Sequence, residues 1–93
     1  MVSLIDLATF RAVAQQRGVR PRQYDSYIGM TLLDRISETE EAGDRILLLA
    51  REGRLSRERA DTLLDRLLAC YAEPLVQGDD VVTIQLELRR YDK

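Results

Sequence analysis

Gly53-Arg54-Leu55-Ser56 lies between two leucine-rich segments and constrains this chain more than any other four residues. It predicts the bend of a helical hairpin spanning about 31–76. Ser56 is placed to cap the second arm by accepting a hydrogen bond from a backbone N–H one turn on. Leu55 and Ala60 occupy the positions that pack as a hydrophobic staple. Glu58 puts negative charge in the first turn, where the helix dipole favours it. The second arm carries a clean apolar stripe at Ala60, Leu63, Leu64, Leu67, Leu68, Tyr71 and Leu75. Pro74 ends or kinks that arm near Ala72.

The first arm is predicted to start at Thr31 and to run nearly continuously to about Glu52. Leu32, Leu33, Ile36, Leu47 and Ala50 share its apolar side, and Gly43 leaves room for a neighbour to approach. A break and restart at Ser37-x-x-Glu40, a capping-box pattern, is the other reading. Upstream, Ser3-x-x-Asp6 predicts the start of a helix over Leu4 to about Arg17, apolar at Leu4, Leu7, Phe10, Val13 and Ala14. Gly18 ends it in a left-handed conformation. Pro21 then opens a short helix over Arg22–Ile28, with Gly29 as its stop.

The tail changes period. Val82, Ile84, Leu86 and Leu88 alternate with Thr83, Gln85, Glu87 and Arg89, which predicts a half-buried β-strand over about 81–91. Gly78-Asp79-Asp80 reads as the turn before it. Such a strand needs a mate, because unpaired backbone groups are costly. The expected fold is therefore mainly α, a single domain over 1–93, with three or four helices around the hairpin and one C-terminal strand.

Composition narrows the chemistry. The 93 residues contain no histidine and one cysteine, Cys70. Without histidine, Ser-His-Asp and Cys-His catalysis are excluded, and the commonest transition-metal ligand is missing. Asp79-Asp80 lacks the further ligands a hard cation needs. No set of residues supplies an acid, a base and a nucleophile together, so the expectation is not an enzyme, with no cofactor, metal or small-molecule substrate. A lone cysteine fits a reducing compartment, and its place beside the Leu63/Leu67 line suits a small buried hydrophobe. The N-terminus lacks the pattern of a signal peptide and no apolar run approaches a membrane span, so a cytoplasmic location without membrane contact is expected.

Local charge is more informative than the net charge of −2. Arg11, Arg17, Arg20 and Arg22 follow one another with no acid between Asp6 and Asp25. Glu38, Glu40, Glu41 and Asp44 then form an acidic stretch. In residues 10–29, Ala14, Gly18, Val19 and Pro21 are followed by apolar residues at Tyr24, Tyr27 and Ile28. This pattern resembles a helix-turn-helix DNA-binding motif, departing from it at Arg17, Arg20 and Tyr24. The resemblance implies that Arg11, Arg17, Arg20 and Arg22 meet phosphates while Gln23 and Ser26 reach DNA bases. Two short helices that merely turn at a glycine are the other reading of the same residues. Ile46–Ser56 also resembles the first helix and turn of winged-helix regulators, but no second turn follows before Leu67.

Two functions emerge as expectations. The first is a small binding or regulatory protein (an adaptor, inhibitor or regulatory subunit) acting on an unidentified protein partner as a homodimer. Its interface candidates are Glu38, Glu40, Glu41 and Asp44 on the acidic stretch, with Ile84, Leu86 and Leu88 on the tail. The alternative is a helix-turn-helix transcriptional regulator that dimerises through its hairpin.

Overall fold

The structure, a computed structural model, describes residues 4–21, 26–73 and 78–91, with the backbone alone at 4, 26–35, 78 and 79. It is mainly α. Four α-helices are described: α1 (Phe10–Arg17), α2 (Ser26–Arg51), α3 (Arg57–Ala72) and α4 (Gly78–Leu88). Short 3-10 turns lie at Leu4–Asp6 and Arg89–Tyr91. Helix α2 is the spine, against which α1, α3 and α4 all pack.

The α2–α3 hairpin forms by local rules. Gly53 takes φ +72° after the end of α2. Its N–H donates to the Ala50 carbonyl at 3.2 Å, and the Arg54 N–H donates to that of Leu49 at 2.9 Å. This is the Schellman closure, which satisfies carbonyls the helix end would leave orphaned. Ser56 caps α3, its Oγ accepting from the Arg59 N–H at 3.1 Å. Leu55 and Ala60 are both buried, as a staple requires. Gly18 closes α1 in the same way as Gly53 closes α2, with φ +69° and with Val19 N–H donating to the Ala14 carbonyl.

The N-terminal segment is shorter than its periodicity suggests. Leu4–Asp6 forms a 3-10 turn, the chain bends, and α1 starts only at Phe10. Thr9 is its cap, accepting from the Ala12 N–H at 3.2 Å. Ser3 lies outside the described residues. Ile5, Phe10, Val13 and Ala14 are buried, whereas Leu7 is half-buried. The expected stop at Gly29 is absent, since α2, Ser26–Arg51, passes through Gly29 without a break, while residues 22–25 of the expected short helix lie outside the described residues. A glycine inside a helix costs only about 1 kcal/mol, so it need not stop one. Helix α2 also continues through Ser37-x-x-Glu40 rather than restarting there.

Gly43 is the notch that lets α1 in. A Cβ on Gly43 would collide with Cβ, Cγ and Cδ1 of Phe10. Alanine normally stabilises a helix by about 1 kcal/mol relative to glycine. Here Gly43→Ala should destabilise instead, by about 2 kcal/mol net, because Phe10 cannot swing away without moving α1. Urea denaturation of the variant checks the sign.

The C-terminal strand is corrected: residues 78–88 are helical, and among the described residues there is no strand. Gly78-Asp79-Asp80 is accordingly the first turn of α4 and not a loop. Val81, Ile84 and Leu88 are 0–4% exposed, a helical i, i+3, i+7 stripe laid against α2 and α3. A helix satisfies its own backbone, while a lone strand would have had no mate. Arg66 donates to Asp80 at 3.1 Å and Arg59 holds Glu87, fastening both ends of α4 to α3. Among the described residues, no helix is long and apolar enough to cross a membrane.

Candidate functional site

The acidic stretch of α2 and the arginines of α1 meet across a gap of about thirty positions in sequence. Helix α2 presents Glu40 and Asp44 one turn apart toward α1. Asp44 Oδ1 accepts from the Phe10 N–H at 2.7 Å, tying down the first turn of α1. Glu40 receives the Arg11 guanidinium through Nε and Nη2, and Tyr71 of α3 donates its phenol to the same carboxylate at 3.2 Å. Arg11 stays three-quarters exposed while the Glu40 side chain is largely covered. Burial and the nearby Glu40 charge, together with the hydrogen bond that the neutral phenol donates, push the Tyr71 pKa up to about 12.

Open grooves lie on either side of this cluster and share Arg11. One, of about 360 Å³, has an apolar floor of Ala14, Val19 and Pro21 with Gln15, Arg20 and Tyr71 around it. The other, also about 360 Å³, is lined by Thr9, Ser37, Glu40, Glu41 and Asp44. One surface thus places an arginine-bearing apolar trough beside an acidic one.

The candidate arginines separate. Arg17 lies 3.9 Å from Asp65, with both side chains largely exposed, so this pair adds little. Arg20 is exposed on its groove. Arg22, Gln23 and the side chain of Ser26 lie outside the described residues. Of the acidic candidates, Glu38 and Glu41 are exposed. On the tail, Leu86 is 55% exposed, but Ile84 and Leu88 are core residues of the chain itself. The change from strand to helix turns those two inward and leaves Val82, not a candidate from sequence, outside with Leu86.

A second polar cluster ties α4 to α3. Arg59 donates through Nε at 2.9 Å and through Nη2 to Glu87. That hydrogen bond, chiefly, holds the Glu87 carboxyl below its ordinary value of 4.5, with the Arg90 and Arg66 charges helping. A carboxyl depressed in the folded state stabilises the fold above its unfolded pKa and loses that contribution as pH falls through the folded value. Stability should therefore drop as pH is lowered below about 4.5. Glu87→Gln should make that decline shallower, measured as urea midpoints against pH.

Thr9 and Tyr71 beside the grooves, and Val82 on the outer side of α4, are not among the candidates that the sequence singles out. Tyr71 reads from sequence as part of the α3 stripe, and nothing local announces its phenol's partner on α2. Comparisons with protein-family models, curated proteins and solved structures find no match.

Proposed function

We propose that this chain is a small non-enzymatic binding protein that acts through contacts with another protein, as a homodimer in the cytoplasm. The observation that carries this reading is the paired surface at Arg11–Glu40–Tyr71. An apolar trough with an arginine at its edge lies beside an acidic trough, and the two share Arg11 of α1. Such a surface suits an extended peptide that offers an acidic residue to Arg20, an apolar residue to the Val19–Pro21 floor and a basic residue to Glu41 and Asp44. Arginine at the edge favours planar, bidentate carboxylate contacts. The single buried thiol is in keeping with a reducing compartment.

Selection of random peptides on the immobilised protein tests this reading. Sequences with an acidic and a basic residue at a fixed spacing should be enriched, and they should lose binding to the Arg20→Glu, Glu41→Arg double variant. Failure to enrich any sequence, or equal binding to that variant, overturns it.

One observation favours the helix-turn-helix alternative: the left-handed turn at Gly18 directly after α1, with Arg20 exposed beyond it. The protein-binding reading is preferred because Arg11, one of the four expected phosphate contacts, is held by Glu40 within the chain. DNA binding that is sequence-selective and weakens steeply with salt would reverse the preference.

A further inference from the structure

Arg11 lines both grooves, and among the described residues it is the one cation lining the acidic groove. Glu40 engages its guanidinium through Nε and Nη2, yet the Arg11 side chain is 75% exposed. Little besides Glu40 therefore holds it in place, and exposed side chains change rotamer freely. Glu40 is in the opposite position. Its side chain is only 14% exposed, and Glu41 and Asp44 line the same groove. With Arg11 gone, its remaining partner among the described residues is the Tyr71 phenol.

The apolar groove has no carboxylate among its described lining residues and carries Arg11 and Arg20. A ligand carboxylate that enters it competes with Glu40 for one guanidinium. Two carboxylates at one guanidinium repel each other. A largely covered carboxylate also has little water to offset the loss of its cation. A positive ligand group in the acidic groove removes both penalties by standing in for Arg11 at Glu40. The exchange works equally in reverse: a cation that satisfies Glu40 frees Arg11 for the carboxylate, and by linkage the two effects are the same size.

We propose that Arg11 couples the two grooves, so that the surface favours ligands carrying a carboxylate and a cation together over ligands carrying either charge alone. Arg11 is then a specificity-determining residue, and the ligand class is dipolar. The inference rests on the peptide-binding reading above and adds the reason both charges are needed at once.

Two small probes test this on the full chain: isovalerate, an apolar carboxylate, for the groove of Arg20, and methylguanidinium for the acidic groove. Backbone amide shifts of Ala14 and Val19, and of Ser37 and Glu41, followed by NMR at fixed ionic strength, give the two dissociation constants. Isovalerate alone should bind with a constant on the order of 1–10 mM. Methylguanidinium at about 50 mM should lower that constant about threefold, as suits coupling between largely exposed groups, while the same concentration of sodium chloride should not. Glu40→Gln should remove the enhancement. Arg11→Gln, at an exposed position outside the core, should let methylguanidinium bind more tightly than in wild type and equally with and without isovalerate. Equal isovalerate affinity with and without methylguanidinium overturns the inference, as does an enhancement that survives in either variant. Isovalerate that fails to bind at about 100 mM overturns it too. Each of these failures leaves the peptide-binding reading to its own selection experiment, where enrichment of dipolar sequences would keep that reading standing.

Discussion

Phe10→Ala is expected to cost about 3–5 kcal/mol, the range for removing a fully buried aromatic ring. Phe10 is 0% exposed and starts α1. Its ring meets Tyr71 edge-on, with centroids 5.2 Å apart and planes at 87°, and fills the notch at Gly43. Truncation would leave a cavity bounded by three helices that cannot collapse together without breaking the Asp44–Phe10 N–H bond. A second readout comes from Tyr71. Burial is the main cause of its raised pKa, so opening the ring pocket should lower its titration midpoint from about 12. The raised value also implies that wild-type stability falls at alkaline pH. The folded state holds the phenolic proton more tightly than the unfolded chain, and that contribution is lost as pH rises through the folded value. Urea denaturation and absorbance titration check both effects. A stability loss under about 1 kcal/mol would mean that α1 is not anchored through this ring.

Leu67→Ala should cost about 2–4 kcal/mol. Leu67 is 0% exposed at the middle of α3, the helix that packs on both α2 and α4. Ser56→Ala at the start of the same helix should cost only about 1 kcal/mol, the value of one N-cap bond. The pair separates burial from capping on a single element. Equal losses in chemical denaturation would show that the hairpin is held more by its turn than by its core.

What was legible in the sequence was what local rules decide. Gly53, Ser56 and the Leu55/Ala60 staple act within one or two turns, and each takes the role its neighbours dictate. Gly18 and the end of α3 before Pro74 are of the same kind, and Gly43 showed that something would approach closely. The tail misleads because its apolar residues satisfy two periods at once. Positions 82, 84, 86 and 88 alternate, while 81, 84 and 88 make a helical stripe. Only the surfaces of α2 and α3, which receive that stripe, decide between them. Thr9 is inconspicuous as a cap because Ser3-x-x-Asp6 offers a better local pattern several residues earlier. The meeting of Arg11, Glu40 and Tyr71 was beyond reach for another reason. It joins three helices distant in sequence, and a side chain's nearest charged neighbour across such a distance is set by packing, not spacing.

The burial of Cys70 makes the protein its own gauge of breathing. The thiol is 0% exposed and lies where α3 meets the start of α4, and burial, helped by the Asp80 charge, pushes its pKa up. A water-soluble thiol reagent can reach it only when α4 lifts or the whole chain opens. The labelling rate in native buffer therefore reads the free energy of that opening without any introduced probe. If the rate gives the full unfolding free energy, α4 opens only with the rest of the core. If it gives much less, the face that carries Val82 and Leu86 belongs to a separately opening lid, held by Arg59–Glu87 and Arg66–Asp80 as its latches.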